Sequence, residues 1–229
     1  MIEDPPLLQI RRKFVRAEPA LLAHFANVPT GHLADAMDGR GALDHRVKPI
    51  DPMRASFVGS AVTCLCAPGD NLAIVAALAV LDKGDVIVAA TDAHATLAVV
   101  GRRVTGMARN RGAVAVVTDG LARDSVGIRQ NGVPVFCAGV TPNSATASGP
   151  GTVGQPVVVG GVSVQSGDIV VGDVDGVVIV PLARAGEVLV RLEAVRAREA
   201  DLAQKLAAGL GVPRRVTELL ASPRVRFLD

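Results

Sequence analysis

Short apolar runs with the composition of strands alternate with helix-like segments through the centre of this 229-residue sequence. Residues 85–90, 113–118 and 133–138 are rich in Val and Ala and are typical of buried strands. Residues 101–111 and 124–130, which separate them, have the residue spacing of helices. Strands joined through helices predict a parallel or mostly parallel sheet covered on both faces. The sequence therefore predicts an α/β fold.

The C-terminal third follows a different pattern. Residues 156–164 and 168–181 contain β-branched runs interrupted by Gly and Asp, which predict antiparallel hairpins. Residues 182–210 predict a long, charged, amphipathic helix that ends at Gly209, and a last helical piece follows Pro213.

The N-terminal part predicts an arm followed by the start of the domain. Residues 1–17 contain Pro and Arg and are expected to form the arm, and residues 18–229 are expected to form a single α/β domain. Before the alternating segment, the pattern predicts a short helix at 19–26, a helix capped by Thr30 that Gly39 terminates, a strand at 56–65 and a buried helix at 71–82.

Composition limits the classes of protein that fit. Hydrophobic residues make up 49% of the chain, and five Phe with no Trp or Tyr leave the core to small aliphatic side chains. The net charge is +2 and the signs are interleaved, so nucleic-acid binding is not expected. The longest apolar run, residues 72–81, is too short for a membrane span. Three Cys, no recognisable signal peptide and no zinc-like spacing of His predict a reduced, cytoplasmic protein.

A glycine-containing turn places Arg123 beside Asp124 after the apolar run that ends at Thr118. At the carboxyl end of a buried strand, where α/β sheets bind ligands, Arg123 could bind an anionic substrate while Asp124 held a divalent cation such as Mg²⁺. A 2-oxo acid would chelate that cation through its carboxylate and keto oxygens. The alternatives are a solvated turn whose charges neutralise each other, or a role for Asp124 as a helix cap only.

A second candidate for anion binding is the start of the predicted helix 101–111. The free N–H groups after Gly101, with Arg102 or Arg103 beside them, predict a carboxylate site. Two cations there oppose the helix dipole, and a bound anion would remove that penalty. The alternative is that both side chains point into water. Asn71, at another helix start, is a further candidate for substrate binding, although capping is the simpler role.

Several short motifs occur in the order found in a known family. They lie at residues 69–72, 84–86, 111–112, 118–124, 134–136, 139–142 and 173–181. As an ordered set they resemble the RraA-like family, which contains the regulator of ribonuclease E activity A and the class II 4-hydroxy-4-methyl-2-oxoglutarate / 4-carboxy-4-hydroxy-2-oxoadipate aldolases. The resemblance covers roughly residues 25–210.

This resemblance implies both an architecture and an activity. The fold would be of the swivelling β/β/α type, with a mixed central sheet, antiparallel C-terminal hairpins and a long C-terminal helix. Homotrimers or homohexamers would form, with active sites between subunits. The activity would be that of a lyase that uses Mg²⁺, Mn²⁺ or another divalent metal to cleave 4-hydroxy-2-oxo dicarboxylates to pyruvate, with oxaloacetate decarboxylation as a side activity.

The resemblance also implies roles for individual residues. Asp124 would be the direct metal ligand, and Arg123 would hold the carboxylate and keto oxygen of the pyruvyl group. The backbone of Arg103 and Val104 would complete the carboxylate site. Glu199 of a neighbouring subunit would reach the waters of the metal.

The sequence departs from the family pattern at two positions. The aldolases carry acidic residues where this chain has Arg102 and Ala90. Arg102 would bring a second positive charge to the substrate, which predicts a different anionic substrate or a changed route of proton transfer. Asp124 is absent from the regulator branch of the family, so its presence here favours an enzyme.

Three hypotheses follow from the sequence. The first is a metal-dependent lyase acting on a small 2-oxo or hydroxy acid, in which Arg102 modifies specificity. The second is a non-catalytic regulator that binds a protein partner. The third is an anion-binding assembly module that uses the helix start at residues 101–103 without a metal.

Overall fold

The structure is a computed structural model that describes residues 6–228. Its helices, in chain order, are α1 (Pro19–Ala23), α2 (Thr30–Ala36), α3 (Leu72–Ala77), α4 (Arg102–Asn110), α5 (Ser125–Asn131), α6 (Ala185–Ala207) and α7 (Arg214–Leu220). Its strands are β1 (Leu8–Ile10), β2 (Lys48–Pro49), β3 (Phe57–Cys66), β4 (Asp85–Ala90), β5 (Ala98–Val100), β6 (Ala115–Thr118), β7 (Leu121–Ala122), β8 (Val135–Cys137), β9 (Gly139–Val140), β10 (Gly151–Val153), β11 (Val157–Val159), β12 (Val162–Val164), β13 (Ile169–Asp173) and β14 (Gly176–Val180).

The main sheet has nine strands in the described part of the chain and is mixed, as predicted. Seven strands follow the order β1-β10-β3-β4-β6-β8-β2, and the β13–β14 hairpin joins the sheet through β3. The central strands β3, β4, β6 and β8 are parallel, whereas β10 and β13 pair antiparallel with β3, and β2 pairs antiparallel with β8. Strand β3 is ten residues long, so β10 and β13 share one of its edges while β4 occupies the other.

Alternation of side chains along β4 divides the interior into two cores. Ile87 and Ala89 enter a core shared with α3, α4 and α5, whereas Val86, Val88 and Ala90 enter a core shared with β11 and β14. Successive strand residues point to opposite faces of a sheet, so both faces of β4 are covered and all six of its residues are buried. This covered parallel centre confirms the prediction made from the alternating pattern.

The C-terminal elements also confirm the sequence pattern. Both predicted hairpins form, as β11–β12 and β13–β14, and the long helix α6 runs for 23 residues. A third core lies between the β13–β14 hairpin and the helices α2 and α6, with Leu33, Val178, Val188 and Leu192 at its centre.

The helix predicted at residues 71–82 is shorter in the structure, where α3 ends at Ala77. The reason lies in the carbonyl groups that follow. The guanidinium of Arg111 binds the carbonyls of Leu78 and Leu81 at 3.0 Å each, and that of Arg16 binds the carbonyl of Val80 at 2.9 Å. Arginine side chains from distant parts of the chain therefore satisfy carbonyls just beyond the helix, which a continued helix would have paired internally and which a local pattern cannot reveal.

The predicted cap at Thr30 is wrong. The N-cap position of α2 is Pro29, and Thr30 is the first helical residue. Both the backbone N–H and the hydroxyl of Thr30 instead donate to the Asp173 carboxylate at 2.8 Å. Asp173 lies at the end of β13, so this carboxylate satisfies the helix start from outside the helix.

An ion pair attaches the N-terminal segment to the sheet. Arg16 donates to both carboxylate oxygens of Asp85, through Nε at 2.9 Å and through Nη2 at 2.8 Å, and Asp85 is 1% exposed. Further upstream, β1 pairs in parallel with β10. The division of the chain at residue 17 stays a prediction.

The cysteines pack in the interior as free thiols. Cys64 and Cys66 of β3 and Cys137 of β8 are buried and unpaired. Burial raises the pKa of the Cys66 thiol to about 12. Cys64 and Cys66 therefore contribute to the packing of the core on β3.

Candidate functional site

Three short parallel strands bring together the segments that carry the predicted site residues. Strands β5, β7 and β9 form a separate sheet in that order. Beyond their ends, the N–H of Arg123 donates to the carbonyl of Val100, and the N–H of Thr141 donates to the carbonyl of Ala122, each at 2.9 Å. The Arg-Asp pair therefore follows β7 and not the longer strand β6, and it lies beside the start of α4.

An open cleft of about 700 Å³ lies at this edge of the small sheet. Its walls come from the start of α4, the first two turns of α5 and the segment after β9. The lining residues are Arg102, Asp124, Ser125, Val126, Gly127, Gln130, Val140, Thr141 and Pro142. Two of the three predicted catalytic residues, Arg102 and Asp124, thus line one cleft.

Arg123 and Asp124 meet at Gly101. A Cβ atom at position 101 would lie 3.2 Å from Cγ and 3.5 Å from Nε of Arg123, and 3.5 Å from Oδ2 of Asp124. Arg123 is half-buried and is not among the lining residues of the cleft, whereas Asp124 lines the cleft and is exposed. The missing side chain at Gly101 therefore leaves room for both charged groups beside the N-terminus of α4, where free N–H groups and the helix dipole favour an anion.

Asp124 adopts a backbone conformation that is rare for residues other than glycine. Its φ is 60° and its ψ is 43°, in the left-handed region, and it occupies the N-cap position of α5. Its side chain accepts no capping hydrogen bond. The capping alternative for Asp124 is therefore not what the structure shows. Strained conformations of this kind cost of order 1–3 kcal/mol and are concentrated at functional sites.

Arg102 is held by residues of α5. The aliphatic part of its side chain lies over Gly127, where a Cβ atom would be 2.7 Å from Cγ of Arg102. The side-chain amide of Asn131 donates to the carbonyl of Arg102 at 2.7 Å and to the hydroxyl of Thr105 at 2.8 Å. These contacts fix the first turn of α4 against α5.

The other predicted site residues are placed differently. Arg103 is exposed and Val104 is buried, and the backbone N–H groups of both lie in the first turn of α4. The amide of Asn71 donates to the carbonyl of Val99 at 3.2 Å, and neither Asn71 nor Glu199 lines the cleft. Glu199 lies on an exposed part of α6. The predicted functional roles of all these residues stay predictions.

Sequence reasoning missed Gly127, Gln130, Asn131 and Thr141. A glycine inside a helix costs about 1 kcal/mol relative to alanine, so Gly127 required a packing reason that the sequence does not give. The spacing of Gly127 and Asn131, four residues apart, places them on the same face of α5. This spacing could have indicated that another helix of the chain packs against this face of α5.

The buried carboxylate of Asp70 supports the site from one side. It accepts hydrogen bonds from the N–H of Leu72 and from the hydroxyl of Thr146, each at 2.8 Å, and from the N–H of Ser148. Burial raises the pKa of Asp70, but the hydrogen bonds outweigh it and hold the pKa below its ordinary value. Asp70 thereby fixes the segment that pairs with β5 through Ser144.

Within residues 6–228, no three His, Cys, Asp or Glu side chains come close enough to share one metal ion. The cleft offers a single carboxylate, that of Asp124. Mg²⁺ takes one or two protein carboxylates and completes its shell with waters and substrate oxygens. The donor set therefore fits a hard divalent cation only where a chelating ligand or another subunit supplies further oxygens.

The family model described as RraA-like (Aldolase/RraA) matches residues 30–179. The chain belongs to the RraA-like family. A Halalkalibacterium halodurans protein, named provisionally as a 4-hydroxy-4-methyl-2-oxoglutarate aldolase, is 36% identical over 174 residues, which cover 76% of this chain and 82% of that protein. The predicted membership of the RraA-like family is thus confirmed.

Solved structures show the same RraA-like fold. An uncharacterised protein from Pseudomonas syringae pv. tomato superposes with a TM-score of 0.75 at 28% identity, over 86% of this chain and 96% of that chain. A Streptomyces coelicolor protein, described as an unusual member of the RNase ES inhibitor RraA family, superposes with a TM-score of 0.72 at 26% identity, over 84% of this chain and 100% of that chain. The predicted fold class is confirmed.

Among residues 6–228, no helix combines the length and the apolar sequence that a membrane crossing requires.

Proposed function

We propose that this RraA-like protein is a divalent-metal-dependent lyase of the aldolase or decarboxylase type. It would cleave a C–C bond in a small 2-oxo or 4-hydroxy-2-oxo carboxylic acid and release pyruvate. The observation that carries the proposal is the meeting of Arg123 and Asp124 above Gly101, next to the free N–H groups of α4. The name of the Halalkalibacterium halodurans relative supports the same reaction class.

The residues of the cleft divide between binding the carboxylate and holding the cation. The Arg123 guanidinium donates to the carboxylate of the substrate, and the backbone N–H groups of Arg103 and Val104 complete the carboxylate site at the helix terminus. Asp124 holds the cation, which is Mg²⁺, Mn²⁺ or another divalent metal. When bound, such a cation supplies a Lewis acid that stabilises the negative charge of an enolate.

Among the described residues, the cleft favours decarboxylation over aldol cleavage. Loss of CO₂ from oxaloacetate needs no base: the bond to the departing carboxylate breaks, its electron pair forms the enolate, and a proton from solvent completes pyruvate. Aldol cleavage must in addition remove the proton of the 4-hydroxyl group, and the cleft contains no imidazole and no carboxylate other than Asp124. A base for aldol cleavage would have to come from water or from a neighbouring subunit.

The test is pyruvate release from oxaloacetate by the purified protein with Mg²⁺, measured above the rate that the metal alone gives. We expect an excess rate that chelation abolishes and that Asp124→Asn removes. Arg109→Leu, at the far end of α4 and outside the cleft, is the control that keeps the excess rate. No excess with oxaloacetate and none with 4-hydroxy-2-oxo dicarboxylates would contradict the proposal.

The second candidate is a non-catalytic regulator that binds a protein partner. The structural match to a protein described as an unusual member of the RNase ES inhibitor RraA family favours it. So does Arg102, which stands where the resemblance to the aldolases implies an acidic residue. Thermal unfolding distinguishes the two functions, since a ligand of the native state raises the melting temperature. A regulator with an unused cleft would show no shift with Mg²⁺ and oxalate.

A further inference from the structure

The charges at the cleft are unbalanced within one chain. Arg102, Arg123 and Asp124 make no ion pair with one another or with any other residue in the part of the chain that the structure describes. Arg102 and Asp124 line the cleft, and Arg123 lies beside Asp124 at Gly101, so two positive charges lie near a single negative charge. An anion entering the cleft meets a net attraction, whereas a lone divalent cation meets a net repulsion.

Gly127 determines where the side chain of Arg102 lies. A Cβ atom at position 127 would overlap Cδ of Arg102, lie 2.7 Å from its Cγ and lie 3.1 Å from its Cβ. Any larger residue at position 127 would force the arginine into another rotamer. Because α5 carries this glycine at a cost in helix propensity, the chain retains the space that the Arg102 side chain needs.

Asn131, one turn further along α5, holds the backbone of the same residue. Its amide donates to the carbonyl of Arg102 at 2.7 Å. The side chain and the main chain of Arg102 are therefore both in contact with α5, so the guanidinium has a restricted range of positions at the wall of the cleft. A preorganised cation loses less side-chain entropy when it binds a ligand.

We propose that Arg102, positioned by Gly127 and Asn131, makes this cleft bind a small dicarboxylate in the absence of the divalent cation. Arg123 takes one carboxylate and Arg102 takes the other, so a monocarboxylate such as pyruvate binds more weakly. The inference rests on the proposed function in assuming that substrate and cation share this cleft. Because coupling between two ligands is reciprocal, the dicarboxylate in turn strengthens cation binding at Asp124.

Calorimetric titration of the metal-free protein with oxalate, malonate and pyruvate tests the proposal. We expect the two dicarboxylates to bind without metal and more tightly than pyruvate. Arg102→Leu should weaken dicarboxylate binding about tenfold or more, because a charge-assisted hydrogen bond is lost, and should affect pyruvate less. Arg102→Asp should abolish metal-free dicarboxylate binding and should strengthen the binding of Mn²⁺ alone.

Gly127→Ala should displace the guanidinium of Arg102 without removing its charge. Alanine favours the helix, so the variant should fold with an unchanged or higher melting temperature, yet it should weaken dicarboxylate binding by displacing Arg102. Gly186→Ala in α6, where a Cβ atom would meet nothing within 4 Å, is the matched control. If Gly127→Ala fails to fold, the two Arg102 variants still decide the question.

The inference is overturned if the native protein binds dicarboxylates only together with a cation, or if Arg102→Leu binds them as tightly as the native protein. These failures are distinct from failure of the proposed function. Metal-free binding that depends on Arg102, in a protein with no lyase activity, would remove the proposed reaction alone. Lyase activity without metal-free dicarboxylate binding would remove this inference alone.

Discussion

At the scale of single residues, the backbone conformation of Asp124 matters for the fold, whereas its carboxylate matters for the proposed site. Asp and Asn tolerate the left-handed region better than other residues with a side chain, and glycine adopts it freely. Asp124 has a φ of 60° and is exposed, without a hydrogen-bonded carboxylate in the described part of the chain. The carboxylate is therefore expected to contribute little to stability, whereas the conformation limits which residues the position accepts.

This reasoning predicts a stability order for substitutions at Asp124. Asp124→Asn should leave the free energy of unfolding nearly unchanged, Asp124→Gly should keep or slightly increase it, and Asp124→Ala should lower it by about 1 kcal/mol. All three should lose metal-dependent pyruvate release. Urea unfolding followed by circular dichroism measures the order. Equal stability of the Ala and Asn variants would show that the conformation imposes no such cost.

Single residues of the site could be predicted from the sequence, whereas their meeting in space could not. Arg123 and Asp124 were recognisable because charged side chains follow an apolar run, and Arg102 because two arginines oppose a helix dipole. The meeting of Arg123 and Asp124 at Gly101 depends on the pairing of β5, β7 and β9, which joins residues about twenty positions apart. That pairing is long-range, so no local spacing predicts it.

At the scale of elements, length decides what the sequence could predict. The six-residue β4, the 23-residue α6 and both C-terminal hairpins have enough residues to show a period, and each was predicted. Strands β7 and β9 have two residues each, which is too few for alternation to be visible. Helix α3 ends early because distant arginines bind the carbonyls that follow it. Contacts with distant residues therefore determined the bounds of the elements that the local pattern did not predict.

The carboxylate of Asp70, which accepts hydrogen bonds from Thr146 and Ser148, predicts how the stability of the protein varies with pH. Hydrogen bonds to this carboxylate keep its pKa below the ordinary value of 3.8 in the folded protein. A lowered pKa means that the ionised group contributes stability above its unfolded pKa, and that this contribution is lost as the pH falls through the lower, folded pKa. Stability should therefore decline on acidification below about pH 4–5, where the unfolded state takes up the proton first.

Asp70→Asn tests this assignment. The variant should be less stable at pH 7, because one of the hydrogen-bond acceptors becomes a donor. Its stability should fall less steeply than that of the native protein between about pH 5 and about pH 3. Melting temperatures of both proteins across this range measure the slope. Asp92→Asn, which changes an exposed carboxylate in the loop after β4, is the control that should keep the native slope. Parallel curves for Asp70→Asn and the native protein would contradict the assignment.

At the scale of the whole molecule, the second half of α6 lies away from the cores of a single chain, whereas its first half packs in the third core. Every residue from 196 to 209 is exposed, including Leu202 and Leu206 at 41% and 57%. Beyond this helix, Phe227 is 69% exposed. Apolar side chains grouped on a surface mark sites of association, so this stretch supports the proposed homo-oligomer. Glu199, proposed to act in a neighbouring subunit, lies within the same stretch.

Mixing of two inactive variants tests whether neighbouring subunits share a site. If a site combines Asp124 of one subunit with Glu199 of the next, Asp124→Asn and Glu199→Gln are each inactive alone, yet a mixed oligomer contains sites in which both residues are native. Random exchange at equal amounts should restore about a quarter of the native pyruvate-release rate, because each site then draws its two halves independently.

Glu193→Gln, on the same helix but paired with Arg196, should remain active alone and serves as the control. Exchange of subunits, followed by native mass spectrometry of differently tagged chains, must be complete for the comparison to count. Complete exchange with no recovered activity would contradict a site shared in this way between subunits, and an active Glu199→Gln variant would place Glu199 outside the site.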